Sequence, residues 1–354
     1  MFDIFMWFYY FVFIMLYFKN GDKIIAKISE DWRLEWTNKQ GINFDINDFG
    51  ELIKNRVFSE NRRDCNTLLA RMGLIEYDAF EIAKRTRAFA LSDKLWISYS
   101  ENEEYETTFK AVFRELYNNK INQNGDGISS PSGQNEKRYI FNEDGSFGIA
   151  KKRLHPFSDD AKNEVLVYRI AKKMGVSCCK AEILDEETVF SKYEFDLNKN
   201  YLVAARYVLN GENIDCDSYE SLIFGKLKPF SDDVNKMIIL DFLTLQEDRH
   251  LSNWAFCFNG ETTMYPLFDN GRCLFYESDE KLARKILDNP KEGAASVGLV
   301  GNYYDLVQIM KKHFDIRGLV NLNFDVGDCF DGLEYADWKV QAIKQWWKWA
   351  IGEL

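Results

Sequence analysis

Apolar and polar positions follow two different periods along this chain, and the period changes with position. Near the start, Met15–Phe18 and Lys23–Ile28 are apolar runs flanking Asn20-Gly21, a dipeptide that signals a tight hairpin. Two helices are predicted next, from Asp48 to Val57 and from Cys65 to Met72, the second closed by Gly73. Ser92-Asp93 then precedes the apolar Leu95-Trp96-Ile97. From Asn118 to Gly133 the chain is polar, with Asn-Gly-Asp-Gly and Ser-Ser-Pro-Ser-Gly, and reads as a loop and a boundary.

Beyond it, Lys137–Phe141 and Phe147–Lys152 read as strands around the turn Asn142-Glu143-Asp144-Gly145. A helix is predicted from Asp159 to Met174, with Ser158 as its N-cap and Gly175 just past its end. Its stripe is Val167, Ile170, Ala171 and Met174. Strands are expected at Ala181–Leu184, Tyr201–Val208 and Thr262–Leu267. Helices dominate the rest, including one capped by Ser231 and running to about Leu245. In the last helix Ile343, Trp346, Trp347 and Ala350 repeat the helical spacing and read as core.

Strands followed by helices define an α+β fold. We divide the chain into an apolar extension (1–14), an N-terminal module (15–125) and a larger domain (126–354). In the larger domain a strand-rich lobe runs to about residue 209 and a helical lobe follows. The 354 residues are 46% apolar and 29% charged, which supports a large core and excludes a disordered chain. Lys plus Arg number 45 against 56 Asp plus Glu, a net charge of −11 that disfavours a nucleic-acid coat or a polybasic membrane anchor. The 7 cysteines are scattered with no C-x-x-C pair, and with only 3 histidines they assemble no zinc spacing. They read as reduced thiols of a cytoplasmic protein. Ile4–Phe18 is unbroken by a polar residue, yet falls short of the roughly 20 residues a spanning helix needs. It also lacks a signal peptide's basic start, so membrane attachment is not expected.

The chemistry concentrates in Gln246-Glu247-Asp248-Arg249-His250-Leu251-Ser252-Asn253, followed by Leu267-Phe268-Asp269-Asn270-Gly271. Phosphoryl transfer needs a carboxylate to take the proton of the attacking hydroxyl and two further oxygen ligands for magnesium. Asp248, Asn253 and Asp269 supply these groups in that order, although Asp and Asn are also common turn formers that bond their own backbone. A strand lysine must hold the nucleotide phosphates. Lys151 shares a strand face with Ile149 and is favoured over its neighbour Lys152. Ser132-Gly133-Gln134-Asn135-Glu136-Lys137 would form the covering loop. Glu164 is read either as the partner of Lys151 or as an exposed first-turn glutamate.

Together these strings resemble the HipA-like serine/threonine kinases, in their Gram-positive branch. Asp248-Arg249-His250-Leu251-Ser252-Asn253 with Leu267-Phe268-Asp269 is similar to the catalytic and metal loops of that family. Ser132–Lys137 resembles its phosphate loop, with Gln-Asn in place of Ala-Gln, and Ile149-Ala150-Lys151 its nucleotide-lysine strand. Leu91–Ile97 is similar to a segment of its N-terminal module. The resemblance implies a protein-kinase-like bilobal fold with an extra N-terminal module, using ATP and magnesium. It implies Asp248 as catalytic base and Asn253 and Asp269 as metal and nucleotide ligands. Ser132, Gly133, Gln134, Lys137, Lys151 and His250 would contact the nucleotide. It further implies a protein substrate, an antitoxin partner and autophosphorylation at Ser130 or Ser132. Asp-Arg-His-x-x-Asn also occurs in phosphoinositide kinases, but no basic cluster for an anionic lipid adjoins Asp248. A pseudokinase acting as a binding module is the other alternative; the intact set of lysine, Asp, Asn and Asp argues against it. No helix-turn-helix pattern is present, so direct nucleic-acid binding is not expected.

Overall fold

A computed structural model describes residues 15–37, 49–62, 64–90, 93–109, 112, 136–141, 147–194, 201–259, 261–296 and 302–354. Outside them lie the extension 1–14, Asp48, Ser92, the boundary at residue 125, and the turn Asn142–Gly145. Ser130, Ser132, Gly133 and Gln134 lie outside them too.

The first hairpin pairs β1 (Leu16–Asn20) with β2 (Lys23–Ile28). Asn20 pairs with Lys23, so the turn residues are Gly21-Asp22 rather than Asn20-Gly21. Gly21 has φ +57°, the left-handed conformation that the first central position of a II′ turn demands. With β3 (Leu34–Trp36) and β4 (Leu95–Ser98) the hairpin forms a sheet of order β3-β2-β1-β4. Phe18, Ile25 and Ile97 meet Ile53, Leu69 and Ile82 from α1 (Phe49–Lys54), α2 (Cys65–Arg71) and α3 (Ala79–Arg85). The first helix thus ends before the expected Val57, where Arg56 turns back to donate to the carbonyls of Ala88 and Leu95, both at 3.0 Å.

The second sheet has order β5-β6-β8-β7. Its strands are β5 (Lys137–Phe141), β6 (Phe147–Lys152), β7 (Ala181–Asp185) and β8 (Thr188–Lys192), the last not anticipated from sequence. Between β6 and β7 runs α4 (Asp160–Met174), whose expected stripe is buried. Its cap is Asp159, not Ser158: the Ser158 hydroxyl donates instead to Asp160 Oδ1 at 2.6 Å.

The predicted strand Tyr201–Val208 breaks in two, β9 (Tyr201–Ala204) and the helical turn α5 (Ala205–Val208). The partner strand supplies the reason. Pairing ends at Ala204 with Ala255, and the next amides donate to the carbonyls of Trp254 and Leu251. After α6 (Tyr219–Phe224), α7 (Ser231–Thr244) is entered from a 3-10 turn over Lys228–Phe230. Ser231 is already helical, so it does not cap. β10 (Ala255–Asn259) and β11 (Glu261–Met264) form a small sheet with β9; β11 ends before the expected Leu267, which bridges to Cys178. The helical lobe closes with α8 (Glu280–Asp288), α9 (Pro290–Ser296), α10 (Tyr303–Met310), α11 (Ile316–Leu319) and α12 (Asp337–Glu353). Ile343, Trp346, Trp347 and Ala350 of α12 pack into the same core as α7 and α10. None of the seven cysteines is joined in a disulfide. Among the described residues no helix is long and apolar enough to cross a membrane.

Candidate active site

Antiparallel pairing sets Lys137 on β5 directly opposite Lys151 on β6, and both side chains reach one carboxylate. Lys151 Nζ lies 2.5 Å from Asp269 Oδ1, and Lys137 Nζ lies 3.7 Å from Asp269 Oδ2. Lys152 points the other way, to Glu136 at 3.1 Å. Glu164 on α4 sits 3.8 Å from Lys151, and its Oε1 accepts the Asn270 amide at 3.0 Å. The strand lysines, the α4 glutamate and the Asp269 loop therefore form one constellation.

Its electrostatics follow from burial and neighbours. Burial opposes ionisation of Asp269, but Lys137, Lys151 and Arg272 outweigh it and hold the carboxyl well below the ordinary range. Burial likewise works against the Lys151 charge, while Asp269, Glu164 and Asp160 keep the ammonium firmly protonated. Lys137 shifts downward, chiefly through burial and with Lys151 adding repulsion. Glu164 shifts upward because it is buried.

The loop after α7 carries Asp248, His250 and Asn253. Asn253 Nδ2 donates to the Asp248 carbonyl at 2.7 Å, which leaves its amide oxygen as the free acceptor. Arg272 approaches Asp248 Oδ2 at 3.6 Å and His250 Nε2 lies 4.0 Å from Oδ1. The His250 ring is 45% exposed, at the rim.

Sequence reasoning passed over the residue that joins the two loops. Arg249 is buried, and its Nη1 donates to the carbonyls of both Asn253 and Phe268 at 2.9 Å. Its other nitrogens grip Asp241 of α7, at 2.9 Å from Nε, and the Asn270 side chain. A planar five-donor group is required for this, which lysine cannot replace. The available signal was an Arg inside a polar motif beyond a helix that carries an aspartate on its buried face. Tyr335 and Asn163 also went unnoticed: the Tyr335 hydroxyl donates to Asn163 Oδ1 at 2.9 Å, and Asn163 Nδ2 donates to the Cys273 carbonyl at 2.5 Å.

Among the described residues no group of three His, Cys, Asp or Glu forms a ready metal cage. Magnesium does not need one, since it takes most ligands from water and phosphate oxygens and only one or two from protein. The Asp269 carboxylate and the Asn253 amide oxygen are hard oxygen donors of the right kind. Glu164 Oε2 lies buried without a hydrogen bond, 3.8 Å from Lys151 Nζ.

A strand-rich lobe with a lysine–glutamate pair, facing a helical lobe with two acidic loops, is the architecture of the protein-kinase-like folds. Over nearly its whole length this one matches HipA, solved from Shewanella oneidensis MR-1 as a toxin–antitoxin complex with HipB and operator DNA. The TM-score is 0.50 at 11% identity, covering 95% of this chain and 96% of that one. The proinflammatory kinase CtkA of Helicobacter pylori aligns over 63% of this chain and 89% of its own, with TM-score 0.48 and 18% identity. No family sequence model and no curated protein matches the chain.

Proposed function

We propose that this protein is an ATP-dependent serine/threonine protein kinase of HipA-like type. The observation that carries the reading is the contact of the strand lysine Lys151 with Asp269, whose loop Arg249 ties to the loop of Asp248 and Asn253. Lys151 and Lys137 would bind the nucleotide phosphates, with His250 at the rim of the same cleft. Asn253 and Asp269 would hold magnesium, which would offset the charge of the nucleotide phosphates. Asp248 would accept the proton of a substrate hydroxyl as that oxygen bonds to the γ-phosphorus. The bond from the γ-phosphorus to the β–γ bridging oxygen breaks, and ADP leaves with the electron pair. The intact set of acidic and basic groups favours catalysis over a pseudokinase role.

The HipA structure pairs that protein with HipB in a toxin–antitoxin system; by analogy we assign this chain a protein antitoxin partner and a cytoplasmic location. Autophosphorylation at Ser130 or Ser132 belongs to the same proposal. A phosphate there adds about −1.5 to −2 charge and would oppose nucleotide binding. The test is transfer of label from γ-labelled ATP, followed by mass spectrometry of the peptide spanning Ile128 to Lys137. No transfer to any protein, the chain itself included, would overturn the kinase reading.

A further inference from the structure

We infer that Arg62, in the N-terminal module, is a positioning residue of the nucleotide site: it holds the backbone of Lys137 and so fixes the reach of that lysine to Asp269. The inference rests on the kinase reading for its functional consequence, not for its geometry.

Arg62 lies between α1 and α2, and its side chain is fully buried. A buried guanidinium must be both paired and hydrogen-bonded. Asp64 provides the pair through a two-point contact, Nε to Oδ1 at 2.6 Å and Nη2 to Oδ2 at 3.0 Å. Nη2 also donates to the Lys137 carbonyl at 2.8 Å, reaching 75 residues along the chain into the second sheet.

Among the described residues no strand of the sheet meets that carbonyl. β5 is an edge strand, and carbonyls alternate between the partner strand and the open edge. Glu136 O accepts from the Lys152 amide at 2.9 Å, so the next carbonyl, that of Lys137, faces outward. Arg62 meets it there. A second contact keeps the module from sliding along this edge. Phe89, Trp96, Tyr105 and Phe109 form one buried aromatic cluster with Phe147 of β6, and Tyr139 and Tyr193 pack against it. The Lys137 backbone is thus held from both sides, by the β6 ladder and by Arg62.

The full-length chain and its Arg62→Gln and Arg62→Lys variants test this. One arm is the rate at which an amine-reactive ester labels Lys137, read by mass spectrometry on the folded protein. The other is steady-state kinetics with ATP varied. For Arg62→Gln we expect several-fold faster labelling of Lys137. We also expect KM for ATP to rise about fivefold, the equivalent of roughly one net hydrogen bond, with kcat little changed. Arg62→Lys keeps a cation for Asp64 and the carbonyl and should recover part of both effects. Unchanged labelling and unchanged KM in variants that merely melt earlier would overturn the inference and leave Arg62 a structural ion pair. A wild-type protein that binds no ATP would defeat the kinase reading, while the labelling arm would still decide the position of Lys137.

Discussion

Lys137 and Lys151 stand opposite one another on adjacent strands and divide the two oxygens of Asp269 between them. Like charges in cross-strand register repel, so the pair is tolerable only with the carboxylate between them. In the proposed kinase the same arrangement would make the nucleotide site: a ligand carrying phosphates and metal would replace one set of charges with another of similar balance.

Replacing Asp269 with Asn therefore has two expected effects. The lysines lose their counter-charge, and the magnesium-dependent part of ATP binding disappears. Asn suits the position because Asp269 has φ +53°, a left-handed conformation that Asn adopts readily. Calorimetry with ATP, with and without magnesium, is the check; equal metal dependence in wild type and variant would return Asp269 to a turn-forming role.

Asp248→Asn should preserve the fold and lower phosphoryl transfer by about 10²–10⁴-fold, the usual contribution of a positioned general base. The side chain is 23% exposed and, among the described residues, forms ion pairs with Arg272 and His250 at long range, so stability should barely change. Wild-type turnover in this variant would remove Asp248 from the mechanism.

Arg249→Lys should destabilise the helical lobe by about 1–3 kcal/mol, the range for a buried acceptor left unsatisfied. One ammonium cannot serve Asp241, the Asn253 and Phe268 carbonyls and Asn270 together. Chemical denaturation measures the loss. A variant as stable as wild type would mean that these acceptors find other donors.

Glu247 gives a pH signature. Burial, with repulsion from Glu277, pushes its carboxyl up to about 7 from an ordinary 4.5. Between those values the folded protein binds a proton that the unfolded chain has released, so this group makes stability fall as pH rises from 4.5 to about 7. Asp269, held low, acts in the opposite direction and only at acid pH, where its stabilisation fades as it gains a proton. Glu247→Gln should flatten the stability profile between pH 5 and 7; an unaltered slope would assign it to another group.

Much of this was legible in the linear pattern because it depends on local periodicity. Lys151 could be set inward by strand alternation, and the α12 tryptophans by helical spacing. Contacts between distant segments were not legible. The polar motif around Arg249 hints at a partner on the preceding helix but not at Phe268, and nothing near Asn163 points to Cys273. The misplaced boundaries have the same origin. Tyr201–Val208 has strand-like composition throughout, but only the absence of a partner beyond Ala255 ends the strand at Ala204.

Helix α4 is fastened at both its neighbours. Glu164 takes the Asn270 amide, Asn163 holds the Cys273 carbonyl, and a Cβ on Gly271 would stand 2.5 Å from the Asp160 carbonyl. On the far side Lys339 of α12 grips Asp159 at 2.6 Å, and Tyr335 holds Asn163. Kinases that switch by swinging the corresponding helix need a hinge with slack at this point. Here the chain's last helix acts as a doorstop behind that hinge. In the proposed kinase, control would therefore act where the nucleotide enters rather than through a swing of α4.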